Sequence, residues 1–130
     1  MTEKTPHILI IDDEQGIRMS MQMFLEDTGF QVSTAASGQA AKDIVQKAKH
    51  DLAIVDMRLG DCSGDRLIPE LLQLNPDLKI LIFTGSLNVV IAPELSQCGV
   101  LPSDVVTKPV ADLASLEEII RLKLDKEHDA

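Results

Sequence analysis

The sequence predicts an α/β fold, with a five-stranded parallel sheet covered by helices on both faces. Three observations carry this. Five short apolar runs occur along the chain: His7–Ile11, Gln31–Ala35, Leu52–Val55, Lys79–Phe83 and Asp104–Thr107. Most are near-continuous rather than alternating, as strands buried on both faces are. Stretches with the helical spacing of apolar residues lie between them. Finally, 130 residues, 45% of them hydrophobic, suit one domain whose core needs no disulfides.

Each element has its own signal. After the first strand, Ile17, Met21, Phe24 and Leu25 form a helical stripe that stops at Gly29. After the second, Ser37 is a candidate N-cap for a helix carrying Ala40, Ile44, Val45 and Ala48. Leu67, Leu71, Leu72 and Leu74 mark the third helix, which Asn75-Pro76 ends. Gly99 stops the fourth. Asp112 caps the last, with Leu113, Leu116, Ile119, Ile120 and Leu124 on its apolar face. Strand alternating with helix five times implies right-handed parallel crossovers. The flavodoxin-like (βα)5 doubly wound sheet, in strand order 2-1-3-4-5, is the natural arrangement at this size. The chain therefore reads as a single domain, 1–130, with a core of about 7–124 and a charged C-terminal tail at 125–130.

Composition excludes several functions. A net charge of −9 argues against nucleic-acid binding, which needs clustered Lys and Arg. It is compatible with a divalent-cation site, although acidic surfaces are often merely soluble. Cys62 and Cys98 have neither CxxC spacing nor nearby His, so free thiols are expected. The N-terminus has no apolar signal core, and no apolar run reaches membrane-spanning length. A cytoplasmic location without membrane contact is the expectation.

In a parallel sheet all strands end on one edge, and ligands bind there at the switch point between strands 1 and 3. Asp12-Asp13 follow strand 1, Asp56 follows strand 3, Thr84-Gly85 end strand 4 and Lys108-Pro109 end strand 5. Taken singly, each has an ordinary explanation. Asp12 or Asp13 can cap a helix, Asp56 can pair with Arg58, Thr84 can be a β-former and Lys108 a solvated charge. Taken together, they put three carboxylates, a hydroxyl and an ammonium on one rim. Mg²⁺ seeks such oxygen ligands, and a carboxylate beside it can attack a phosphoryl group while a cation and a hydroxyl offset the charge.

The segments Ile10-Ile11-Asp12-Asp13-Glu14, Val55-Asp56-Met57-Arg58-Leu59 through Gly64, Phe83-Thr84-Gly85 and Thr107-Lys108-Pro109 resemble the signature segments of response-regulator receiver domains of bacterial two-component signal transduction. The resemblance runs from His7 to about Leu124. It implies that Asp56 is the phosphoacceptor and that Asp13 is a direct Mg²⁺ ligand. Asp12 would act largely through metal-bound water, and the backbone carbonyl of Arg58 would be a further ligand. Thr84 would be the switch hydroxyl, and Lys108 would pair with Asp56 and then with phosphoryl oxygens. The Lys108-Pro109 bond would be cis. The implied donor is a sensor histidine kinase or histidine phosphotransfer protein, and the effector is unknown. Such a domain signals rather than acting as an enzyme on other substrates, apart from its own phosphorylation and dephosphorylation at Asp56.

Three departures from the family pattern stand out. Leu59-Gly60 replace the frequent Met-Pro after the acceptor, which predicts a looser loop. Val105 stands where an aromatic ring usually moves on activation, so the ordinary Thr–aromatic switch cannot operate. The Gly99–Lys108 segment is two residues longer than usual, through Val100-Leu101-Pro102-Ser103. Pro93 predicts a short fourth helix beginning near it, after an irregular stretch Leu87–Ala92 in which Val89, Val90 and Ile91 contact a partner or pack on the sheet.

Other residues are less informative. Met19, Met21 and Met23 alternate on a helix and cannot share a face. His7, His50 and His128 are far apart without metal-ligand spacing, and Cys62 is an incidental, partly exposed thiol. Arg58 and Ser86 occupy positions that tune phosphoryl lifetime in the family. Three alternatives remain. The first is a degenerate receiver that binds protein without phosphorylation. The second is an aspartyl-phosphate hydrolase, opposed by Arg58 standing where such enzymes carry a second acid. The third is a flavin carrier, opposed by the acidic trio and the scarcity of aromatics.

Overall fold

In the computed structural model, residues 5–85, 93–107 and 113–128 are described. Strand and helix alternate five times: β1 (His7–Ile11), α1 (Gln15–Asp27), β2 (Gln31–Ala35), α2 (Gly38–Lys47), β3 (Leu52–Val55), α3 (Gly64–Leu74), β4 (Lys79–Thr84), α4 (Pro93–Gln97), β5 (Val105–Thr107) and α5 (Leu113–His128). The strands form one sheet in the order β2-β1-β3-β4-β5, and every pairing is parallel. This is the expected (βα)5 flavodoxin-like order.

Successive residues of a strand point to opposite faces, and the two core layers sort accordingly. Ile8, Ile10, Leu52, Ile54, Leu81 and Phe83 pack with Met21 and Leu25 of α1 and Leu116 and Ile120 of α5. Leu9, Ile11, Ala53, Val55, Ile80 and Ile82 pack with Ala41 and Val45 of α2 and Leu67, Ile68 and Leu71 of α3. Each fully buried Leu or Ile contributes about 1.5–3 kcal/mol. These layers hold the strand ends, and everything on them, in fixed register.

Several details differ from the sequence reading. β4 extends one residue to Thr84, while Asp104 lies in a 3₁₀ turn (Pro102–Asp104) rather than in β5. In that turn Asp104 Oδ2 accepts from the Leu101 N–H at 2.8 Å, and its other oxygen meets Lys123 Nζ at 2.6 Å. Ala48 and Leu74 are exposed, because α2 and α3 end there; Ala41 and Ile68 take the buried positions. Met21 is buried while Met19 and Met23 are exposed, as alternation on a helix requires. Ser37 caps α2 by accepting from the Ala40 N–H at 3.1 Å. Gly29 and Gly99 follow α1 and α4 with φ of 103° and 90°, a conformation open to glycine. α4 is a short helix starting at Pro93, as predicted, whereas α5 runs on to His128, through most of the segment read as a tail. The Leu87–Ala92 stretch and the Asp112 cap lie outside the described residues.

Candidate functional site

The carboxyl edge of the sheet gathers the acids. The Asp12 N–H donates to Ala35 O at 3.1 Å and the Asp56 N–H to Ile11 O at 2.9 Å. Each bond carries the parallel ladder one residue past its strand, so both aspartates are placed by the sheet itself. Asp12 is 1% and Asp56 6% exposed, while Asp13 is exposed. One ligand oxygen from each of Asp12, Asp13 and Asp56 lies within 4.8 Å of the others.

Local bonds fix the carboxylates further. Asp12 Oδ1 accepts from the Glu14 N–H at 2.9 Å, and Arg18 of α1 donates to the Asp12 carbonyl at 2.7 Å. Glu14 is the N-cap of α1, yet its side chain makes no capping bond. Asp12 therefore turns the chain into the helix, and the helix N-terminus favours negative charge beside it. Asp56 Oδ1 accepts from the Arg58 backbone N–H at 3.1 Å; the contact is to the Arg58 main chain, and its side chain is exposed.

An all-oxygen set of three carboxylates fits a hard divalent cation such as Mg²⁺. Two of the three are buried, and like charges this close call for a compensating positive charge. Thr84 ends β4 and is 3% exposed. β3 and β4 run in register with Val55 beside Ile82, so Thr84 lies one residue beyond the level of Asp56, on the same edge. Lys108 and Pro109 lie outside the described residues, as does Ser86. Val105 is half-buried and packs against the core layer that contains Leu95 and Val100.

The sequence matches the family model described as the response regulator receiver domain over residues 8–121. The chain belongs to that family. This receiver domain is 31% identical over 110 residues to the transcriptional regulatory protein GlrR of Escherichia coli, which covers 85% of this chain and 24% of GlrR. It is 32% identical over 108 residues to the alginate biosynthesis transcriptional regulatory protein AlgB of Pseudomonas aeruginosa, covering 83% of this chain and 24% of AlgB. The chain thus spans about a quarter of the length of these relatives. Among solved structures, a CheY-like receiver domain from Methanospirillum hungatei superposes with a TM-score of 0.86 at 28% identity, covering 97% of this chain and 98% of that one. A response regulator from Burkholderia pseudomallei, with a phosphorylated aspartic acid, calcium ion and citrate, gives 0.79 at 27%, covering 95% and 71%.

Sequence reasoning missed three contacts. Asp61, in the β3–α3 loop, accepts from the first two backbone N–H groups of α2, Gly38 at 2.9 Å and Gln39 at 3.1 Å. Those two bonds, Gly38 first, hold its carboxyl below the usual carboxylate range. His7 and His50, set aside as distant, lie with ring centroids 4.0 Å apart and planes tilted by 36°, and both reach Ser33 Oγ. Asp104 pairs with Lys123. All three join segments far apart in sequence and leave no local motif. Among the described residues no helix is long and apolar enough to cross a membrane.

Proposed function

We propose that this receiver domain accepts a phosphoryl group on Asp56 in a Mg²⁺-dependent reaction, taking it from a sensor histidine kinase or a histidine phosphotransfer protein. The convergence of Asp12, Asp13 and Asp56 within 4.8 Å at the carboxyl edge is the observation that carries this reading. An Asp56 carboxylate oxygen attacks the phosphorus in line; the P–N bond of the donor phosphohistidine breaks and its electron pair stays on the imidazole. The product is an acyl phosphate. Bound Mg²⁺ would screen charge on the phosphoryl oxygens. Asp13, Asp56 and the Arg58 carbonyl would hold the ion directly, with Asp12 acting through its water. The Thr84 hydroxyl would donate to one phosphoryl oxygen, and Lys108 would balance another. The whole segment 1–130 would act as the receiving unit, in the cytoplasm, on a downstream effector whose identity is unknown.

Two solved relatives support the chemistry by what they hold: the phosphorylated aspartic acid of the Burkholderia protein, and Mg²⁺ with BeF in TrrA of Thermotoga maritima, which is 25% identical with a TM-score of 0.78 over 92% of this chain and 99% of that one. The test is incubation with acetyl phosphate and Mg²⁺, read by intact mass. One phosphoryl group is expected on wild type and none on Asp56→Asn. A wild type that takes up nothing and also fails to bind Mg²⁺ and beryllofluoride would leave a second reading, a phosphorylation-independent binding module. Val105, in place of an aromatic, is the feature that favours it.

A further inference from the structure

We propose that Asp61 is a positioning residue for the cation site: by gripping the N-terminus of α2 it holds the β3–α3 hairpin, and so keeps the Arg58 carbonyl turned toward the acidic edge. The inference rests on the proposed Mg²⁺-dependent function.

The segment after Asp56 folds into a short hairpin. Gly64 N–H donates to Met57 O at 2.9 Å and Leu59 N–H to Cys62 O at 3.1 Å, bracketing an antiparallel bridge between Arg58 and Ser63. In such a bridge the two paired residues turn their own N–H and C=O groups outward. The Arg58 N–H points to Asp56 Oδ1 at 3.1 Å. In an extended residue the carbonyl projects to the same side as the N–H, so the Arg58 carbonyl stays out of the hairpin ladder and faces the acids. The looser loop expected from Leu59-Gly60 is thus tied at its base, and Leu59 is buried in the core beneath it.

Asp61 fastens the tip. Ser37 takes the third N–H of α2, and the two Asp61 oxygens take the first two. These bonds are charge-assisted and lie at the positive end of the helix. The approach depends on Gly38, where a Cβ would meet Cys62 Sγ at 2.4 Å. At the other end, a Cβ on Gly64 would lie 2.9 Å from the Asp56 carbonyl oxygen and the Met57 Cα. Two glycines and one carboxylate therefore clamp the loop between α2 and the phosphoacceptor. Lys42 of α2 adds an exposed pair with Glu70 of α3 at 2.7 Å.

The test is a Mg²⁺ titration of the purified protein without phosphodonor, followed by backbone amide NMR shifts. Asp61→Ala is expected to weaken Mg²⁺ binding roughly tenfold. Gly38→Ala, whose Cβ would crowd Cys62 Sγ against the hairpin while keeping every charge, is expected to weaken it in the same direction, and Gly38→Ala/Cys62→Ala to recover affinity. With acetyl phosphate, Asp61→Ala should need more Mg²⁺ but regain the wild-type rate at saturation. Should Asp61→Ala not fold, Asp61→Asn, which retains one acceptor oxygen, and Gly38→Ala carry the test. If these variants lower the melting temperature yet leave the Mg²⁺ constant unchanged, Asp61 is only structural and the proposal is overturned. If wild type itself shows no Mg²⁺-dependent shifts, the proposed function falls, and this inference with it.

Discussion

The two ends of the sheet both carry buried polar groups, but of opposite character. At the carboxyl edge, Asp12, Asp13 and Asp56 bring like charges within 4.8 Å. At the amino edge, His50 is 1% exposed and fully complemented. Its Nδ1 lies 3.1 Å from Ala48 O, its Nε2 3.1 Å from Ser33 Oγ, and Ser33 Oγ also meets His7 Nε2 at 2.7 Å. A carbonyl can only accept, so His50 Nδ1 bears the proton. In the neutral ring Nε2 then accepts from the Ser33 hydroxyl, and His7 donates to the same oxygen. Asn75 finishes the set: its side-chain amide donates to His50 O at 3.0 Å, and its carbonyl accepts from Asp77 N at 3.2 Å. Donors meet acceptors throughout that network. Buried polarity therefore does not distinguish the candidate site; what does is three carboxylates gathered on one edge in an arrangement that could hold a cation.

Variants that perturb each end should separate them. The largest expected effect is at the amino edge. His50→Ala removes a buried ring and strands the Ser33 hydroxyl and the Ala48 carbonyl, for a loss of about 3 kcal/mol in urea unfolding, with Mg²⁺ affinity retained. Equal Mg²⁺ loss in that variant would show that the ends are coupled and break the contrast. At the carboxyl edge, Mg²⁺ at a hundred times its Kd should stabilise wild type by about 2.7 kcal/mol, and Asp13→Asn/Asp56→Asn by far less. Smaller still, Asp56→Asn in metal-free buffer should shift the unfolding free energy by about 1 kcal/mol at most, because relief of repulsion from Asp12 and Asp13 is offset by loss of the proposed Lys108 pair and of the charge on the Arg58 N–H bond. A much larger destabilisation would mean that the partners of the Asp56 carboxylate outweigh that repulsion.

This contrast also explains what the sequence could reveal. Strand order and the acidic edge were legible because they follow from local pattern: continuous apolar runs such as Leu52–Val55, and acids directly after strands. A parallel sheet then gathers those acids without further information. The amino edge was illegible because its contacts have no local logic. His7 and His50 are 43 residues apart by their numbering, and only the registration of Ile8 with Leu52 puts them together. Asp61 is equally silent, since an acid in a loop gives no sign that it caps a helix 23 residues back. Helix stripes failed at their ends, at Ala48 and Leu74, where the chain leaves the helix and the apolar side chain leaves the core.

The pH dependence of stability should come first from the amino edge. Burial, and then the neighbouring His7 ring, push His50 below the ordinary histidine range, against smaller opposing pulls from the Ala48 carbonyl and Asp51. In the unfolded chain His50 titrates near its usual value, about 6.5. As pH falls through that value the unfolded chain takes up a proton that the folded chain still refuses. His50 thus contributes stability above about 6.5 and loses it on acidification toward its folded value. Protonation also places a hydrogen on Nε2 facing the Ser33 hydroxyl, which must then give up its own donation. Urea midpoints at pH 7.5 and 5.5 measure the effect. Wild type should lose stability between them, and His50→Gln, which cannot take up the proton, should lose less. An identical slope in both proteins would place the titration elsewhere and leave the amino edge a purely neutral network.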